Sequence, residues 1–555
     1  MNRLLTHLGP PLRALHGVFR NRAIRRMQLA FLLFNVAEPA MWVAILVYAF
    51  DEGGTRAVGF VSILCLVPAG LLAPFAAGLG DRFPRERVVR FGYLTQAVVT
   101  GILALALGVG APPLAVYLVA MVSCIPYTAG RPNHHALLPS LGDAPDEVAA
   151  ANSVSALTEG VGYAIGGLTA AVLATIGAGA IVTVAAAALG LAFVLTLGIH
   201  APSEVDRGSF RAWTLAVDAV DGIRRIATTR GTRILVLIAG ALAIATGAIG
   251  VLLVPLAIDR LGLGDSGVGF LSTIQSVGLF VGAGISVAFA TRRRLSGGIV
   301  AAAALYAIGG VLFGLSTTTV IAVVACIAYG ASITLLDVLA RTLLQRTTSD
   351  DLLTRVFGAV EALWLLAYAA GAAIAPVLES RIGLPVSFAV LGCAMLVAGV
   401  VSLAGLRRID HAAVVPERQL QLLTAIPMFA PLPHIDLERI GRQLDLIETP
   451  AGTELIRQGD VGDRFYVVDA GTFEIVRDGA RIDTAEEGGY FGEIALLHDV
   501  PRTATVRAIA DGAVWALDQE EFLATVTGLP QAARAAHKIS AERRRTDAPD
   551  GGVEG

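Results

Sequence analysis

The run Phe491-Gly492-Glu493-Ile494-Ala495-Leu496-Leu497, followed by Pro501-Arg502-Thr503-Ala504-Thr505-Val506, joins a glycine turn at a helix opening to one carboxylate and one arginine. A cyclic phosphodiester carried on a ribose needs those parts. Backbone N–H groups where a short helix begins, at Ala495 and Leu496, suit an anion. The Arg502 guanidinium can pair with the same anion through two parallel N–H bonds. Glu493, an acceptor when ionised, can take a hydrogen bond from a ribose hydroxyl.

Working outward, residues 448–517 alternate brief β-type runs with Gly and Asp turns, which reads as a small antiparallel barrel. Helical stretches stand at 417–423 and 435–444 before it and at 519–526 and 530–540 after it. Gly459-Asp460-Val461-Gly462-Asp463-Arg464-Phe465-Tyr466-Val467-Val468, with Gly471 at the next turn, gives a strand-and-turn pattern ahead of the glycine turn. Together these stretches, from about residue 422 to 526, resemble cyclic-nucleotide-binding domains, the family of the bacterial catabolite activator and the regulatory subunits of cyclic-AMP-dependent kinase. The resemblance implies that Gly492 and Glu493 hold the ribose hydroxyl, and that Arg502 with the N–H groups of Ala495 and Thr503 holds the phosphate. Ile494, Ala504 and Thr505 belong to the same cassette, and the last two helices correspond to a hinge and a lid. Thr503 stands where cyclic-GMP binders often meet the purine amino group, yet cyclic-AMP binders use hydroxyls there too. Cyclic AMP is the expected regulatory ligand and cyclic GMP the alternative.

The rest of the chain is of another kind. The 555 residues are 55% hydrophobic and 16% charged, with a mean hydropathy of +0.69. Apolar segments of roughly 20 residues, enough to cross a bilayer as helices, repeat about twelve times. They lie near 27–50, 57–80, 88–110, 113–131, 148–176, 178–199, 232–258, 267–290, 297–316, 319–344, 356–379 and 385–406. The expected organisation is an N-terminal segment 1–26, a polytopic α-helical membrane domain 27–406, a linker 407–421, a small α+β domain 422–543 and a disordered tail 544–555.

Arginines orient the spans under the positive-inside rule. Arg20, Arg22, Arg25 and Arg26 precede the first span, Arg82, Arg85, Arg87 and Arg90 follow the second, and Arg292, Arg293 and Arg294 follow the eighth. An even number of spans then places both termini and the soluble domain in the cytoplasm of a multi-pass protein of the cell (inner) membrane. The net charge of −3 gives no case for nucleic acid. Cys65, Cys124, Cys326 and Cys393 all fall inside spans, without metal-ligand spacing, and read as small core residues.

Between the second and third spans, Ala77-Gly78-Leu79-Gly80-Asp81-Arg82-Phe83-Pro84-Arg85-Glu86-Arg87 resembles the loop signature of the major facilitator superfamily. Ala77 and Pro84 replace its two glycines. Asp81, Arg82 and Arg85 keep its charges and form a candidate inter-helix latch. In the fifth span Gly162-Tyr163-Ala164-Ile165-Gly166-Gly167 is similar to the Gly-Pro-x-x-Gly-Gly stretch of that superfamily's exporters, with Tyr163 in place of proline. Arg341-Thr342-Leu343-Leu344-Gln345 echoes Arg131 to Pro139 in the other half. The resemblance implies two six-helix pseudo-repeats.

Charges inside spans cost roughly 2.5–3.5 kcal/mol each at a helix centre, and few are present. Glu38 lies about 16 Å into the first span at 1.5 Å per residue, and Glu159 reaches a similar depth in the fifth. Both are candidates for proton coupling or substrate contact, and exporters of the superfamily favour an acid in the first helix. Arg131 and Asp337 occupy matching places when Leu137-Leu138 is set against Leu343-Leu344, which suggests a paired gate. A cyclic-nucleotide-gated channel is disfavoured, because Val161-Gly162-Tyr163 sits mid-helix with no pore helix before it. No nucleophile, metal cluster or cyclase signature points to an enzyme. The expected function is a secondary transporter, a proton-coupled exporter of a small molecule regulated by cytoplasmic cyclic nucleotide. The alternative is a membrane-anchored nucleotide receptor or buffer with a degenerate carrier domain.

Overall fold

The computed structural model describes residues 20–77, 83–141, 145–199, 224, 228, 230–290, 295–347, 350–412, 417–430, 432, 434–498 and 500–527. They form two compact units that divide the chain at 413/414.

In the first unit, eleven helices among the described residues are long and apolar enough to cross a membrane. They are α1 (Arg22–Ala77), α2 (Arg85–Gly108), α3 (Pro113–Leu137), α4 (Pro145–Leu173), α5 (Ala178–Thr196), α6 (Arg230–Pro255), α7 (Gly264–Ala290), α8 (Ser296–Leu315), α9 (Thr319–Thr347), α10 (Asp350–Ile382) and α11 (Leu384–Ala412). With 56 residues, α1 would run roughly 84 Å at 1.5 Å per residue, far more than the ~30 Å of a hydrocarbon core. It breaks at Gly53 and Gly54, where φ 62 and ψ −158 at Gly54 leave the helix in a region open to glycine. Since α1 holds the first two spans, the eleven helices supply the twelve expected segments. The last span is longer than its apolar stretch suggests, because α11 continues to Ala412.

Close crossings explain the small-residue motif. A Cβ on Gly162 would lie 2.5 Å from Asn35 Cβ, and one on Gly166 would lie 2.5 Å from both Pro39 Cγ and the Val36 carbonyl, so α4 meets the first span backbone to backbone. Gly167 makes a second crossing, against Thr273 of α7. The other half repeats the device: Gly247 of α6 abuts Tyr368 of α10, and Gly371 of α10 abuts Ile244. Two arginines, one on α1 and one on α2, also close the end of α5. Arg26 Nη2 donates to the Leu197 carbonyl at 2.5 Å and Arg90 Nη2 to that of Ile199 at 3.1 Å, both just past α5. Such groups satisfy carbonyls that the helix itself leaves orphaned. On α11, Asp410 caps α8 from a distance, accepting Leu295 N–H at 3.1 Å and Ser296 N–H at 2.9 Å.

The second unit begins with α12 (Glu417–Ala425) and α13 (His434–Gln443). Eight strands follow: β1 (Asp445–Thr449), β2 (Glu454–Ile456), β3 (Arg464–Ala470), β4 (Phe473–Arg477), β5 (Ala480–Ala485), β6 (Tyr490–Phe491), β7 (Thr505–Ala508) and β8 (Gly512–Asp518). The short helix α14 (Glu493–His498) sits between β6 and β7, and α15 (Gln519–Thr527) closes the described part. The antiparallel wall consists of two four-stranded sheets, ordered β1-β8-β3-β6 and β2-β7-β4-β5. Between them Phe473, Phe491, Val468 and Val514 make one apolar core. A second core joins Leu423, Phe429 and Ile440 of the helical segment to Phe465 of β3 and Phe522 of α15. The proposed lid at 530–540 lies outside the described residues.

Candidate functional site

At the junction of β6, α14 and β7, Gly492 turns the chain with φ +92, and a Cβ there would stand 2.7 Å from Arg502 Nη1 and 3.0 Å from the Arg464 carbonyl. Glycine is required at this position by both conformation and space. The Arg502 side chain is only 4% exposed. Its Nη1 donates to the Gly492 carbonyl at 3.0 Å, and its Nη2 donates to the Arg464 carbonyl at 2.7 Å and to Asp463 Oδ1 at 3.2 Å. The Gly459 turn grips the arginine's backbone from the other side: Arg502 N–H donates to Asp460 O and Gly459 N–H to Arg502 O, each at 2.8 Å. Tyr466 lies under the guanidinium, 6.0 Å from ring centre to Cζ, and stacks on Phe491. Burial pushes the Tyr466 phenol up, and the nearby Asp463 carboxylate adds to the shift, so the phenol keeps its proton at neutral pH.

These groups border a concave cleft that opens to solvent, the kind of surface on which small ligands are bound. Gly492, Glu493, Ile494, Ala495, Arg502, Thr503 and Ala504 all line it. Glu493 is 1% exposed. Thr505 stands apart from the lining, its hydroxyl accepting the Gln458 N–H at 3.0 Å. The remainder of the wall was not legible as a motif: Ile456, Ile475 and Val506 face inward by strand alternation, while Arg477, Ile482 and Asp483 come from the β4–β5 hairpin. Arg477 Nε donates to the Thr503 carbonyl at 3.1 Å, tying the hairpin to the arginine segment.

In the first unit the charged candidates fall together differently from expectation. Arg131 Nη2 is 2.6 Å from Glu38 Oε2, and Arg131 Nε is 2.9 Å from Glu159 Oε1, as an ion pair outside hydrogen-bonding geometry. Nη2 also donates to the Tyr163 hydroxyl at 2.5 Å, and that hydroxyl donates to Glu38 at 3.3 Å. The residue standing where the exporter motif has proline is thus part of the cluster, a role its sequence position alone did not show. Arg131, Glu38 and Glu159 side chains keep 33%, 26% and 35% of their surface, so they face accessible space although three spans converge on them. The expected Arg131–Asp337 gate is corrected. Asp337 is taken by Arg341, one turn along the same helix, at 2.8 and 2.9 Å, and Arg341 also reaches Glu361 of α10 at 2.7 Å. Equivalence between the two halves placed Arg131 and Asp337 at matching depths without bringing them into contact. Asp81 and Arg82 lie outside the described residues, and Arg85 opens α2 with an exposed side chain. Among the described residues no cluster of His, Cys, Asp and Glu is placed to hold a metal ion.

Such a bundle, with paired half-repeats and an ionic cluster facing accessible space, is the architecture of a membrane carrier, here continued by a cyclic-nucleotide-binding module. The chain belongs to the Major Facilitator Superfamily, whose family model matches residues 27–348. A second family model, the cyclic nucleotide-binding domain, matches residues 446–527. The nucleoside transporter NupG has a similar fold, with a TM-score of 0.59 and 12% identity over 70% of this chain and 99% of that one. The Drosophila melanogaster cAMP-dependent protein kinase type II regulatory subunit is 34% identical over 109 residues, 19% of this chain and 29% of the relative. The corresponding subunit of Eremothecium gossypii is 45% identical over 71 residues, 13% of this chain and 16% of the relative. The chain therefore spans less than a third of the length of these curated relatives.

Proposed function

We propose that the protein is a proton-coupled exporter of a small molecule in the cell (inner) membrane, with both termini cytoplasmic. Its cycle is regulated by cyclic AMP bound to the second unit. The observation that carries the transport reading is the Glu38–Arg131–Glu159 cluster with Tyr163, which ties spans one, four and five together while facing accessible space. Protonating Glu38 removes one of the two carboxylates that hold Arg131, so the guanidinium stays with Glu159 and Tyr163 and the first span is released. Proton occupancy and helix spacing are then one equilibrium, and a substrate that prefers either arrangement is coupled to the proton.

Support for the nucleotide reading is the buried Arg502, the glycine-only turn at Gly492 and the cavity between them. The names of the similar kinase subunits favour cyclic AMP over cyclic GMP. A ligand phosphate competes with Asp463 for the Arg502 guanidinium. Everted membrane vesicles exposed to a soluble metabolite extract under an imposed pH gradient test the transport reading by mass spectrometry. At least one compound is expected to accumulate with wild type and to be lost with Glu38→Gln. Equal accumulation by both proteins would overturn the coupling role of Glu38, and accumulation no greater than in vesicles without the protein would instead favour a nucleotide receptor on a degenerate carrier.

A further inference from the structure

The β4–β5 hairpin carries a device at the cavity wall that the cassette motif does not include. Its turn, Asp478-Gly479, takes positive φ at both residues, 50 and 82, the two-residue form that matches strand twist. Beyond the turn the pairing slips: Val476 faces Arg481 and Ile475 faces Asp483, so Ile482 is an extra residue on β5. In a regular strand, neighbouring side chains point to opposite faces. A bulge breaks that rule and re-aims a side chain, and here Ile482 and Asp483 both line the cavity. The wall they form joins the apolar Ile456, Ile475 and Ile482 to one carboxylate. Asp483 Oδ1 accepts the N–H of Thr484 at 2.8 Å, and Oδ2 has no partner among the described residues.

We infer that Asp483 is the residue that selects the base, by accepting a hydrogen bond from the 6-amino group of an adenine lying on the isoleucine wall. The inference rests on the cyclic-nucleotide reading of the cavity. The sugar and phosphate are held by groups common to every purine cyclic nucleotide, so discrimination has to come from the part of the wall that meets the ring. Adenine carries an N–H donor at C6, whereas hypoxanthine and guanine carry a carbonyl there. An ionised carboxylate only accepts, so at C6 it pairs with the amino group and repels the carbonyl; the N1–H of a 6-oxo base is the competing donor, and its use by Asp483 would show as the reverse preference. An asparagine in its place presents both a donor and an acceptor and loses the distinction.

Binding of cyclic AMP, cyclic IMP and cyclic GMP to the full-length protein in detergent micelles, measured by titration calorimetry for wild type and Asp483→Asn, tests this. Wild type is expected to bind cyclic AMP about tenfold or more tighter than either 6-oxo nucleotide, the low end of what a hydrogen bond to a charged group carries. In Asp483→Asn the ratio is expected to fall to within about threefold while cyclic AMP still binds. An unchanged ratio in the variant, or a wild type that prefers a 6-oxo nucleotide, would overturn the assignment of Asp483 while leaving the cavity a nucleotide site. Failure of wild type to bind any of the three would overturn the nucleotide reading, and this inference with it.

Discussion

Arg502 is held by two backbone carbonyls and one exposed carboxylate, a cradle that fixes the guanidinium before any ligand arrives. Truncating it removes the principal charge for a phosphate, carried on a side chain that is itself buried, so Arg502→Ala is expected to weaken cyclic AMP binding about 100-fold or more, read by calorimetry on the purified protein. In the membrane unit, Arg131→Ala would leave Glu38 and Glu159 without their shared cation. With Glu38 26% and Glu159 35% exposed, the cost is expected to be about 1–2 kcal/mol rather than the full penalty of a buried pair. Adding Glu38→Gln should recover part of that loss, because the two sites share one network; thermal melting of the detergent-purified variants checks both. At this scale the sequence exposed the two acids, because a charge inside an apolar run stands out. It could not expose Tyr163, whose hydroxyl matters only once α3 and the first span are brought against α4.

Elements were legible where periodicity and length are unambiguous, as in the apolar helices and the turn-punctuated strands, and obscure where a contact decides. The glycines of the fifth span were readable as a close-packing motif, though not the helices they meet. Gly166→Leu would drive a side chain into Pro39 and the Val36 carbonyl, so the variant is expected to lose the folded, monodisperse state in size-exclusion chromatography. Gly190→Leu, where nothing lies within 4 Å of the added Cβ, is expected to retain it. Asp410 illustrates the other limit, for it reads as the polar end of a span yet caps a helix more than a hundred residues away in sequence. Asp410→Ala is expected to cost about 1–2 kcal/mol, visible as a lower melting temperature with cyclic AMP affinity unchanged. The bulge at Ile482 was equally hidden, since it depends on how β5 registers with β4.

For the whole molecule, composition alone separated a membrane part from a soluble one, and the loop and cassette motifs named both families. What joins them in function is a matter of linkage: nucleotide alters the carrier only by its differential affinity for the carrier's states. The most direct test uses the everted vesicles described above, comparing accumulation of the identified compound with and without saturating cyclic AMP, in wild type and in Arg502→Ala. Regulation through the soluble unit requires a several-fold change in wild type and none in Arg502→Ala at equal protein levels. Identical accumulation with and without cyclic AMP, in a wild-type protein shown to bind it, would contradict a nucleotide-regulated carrier.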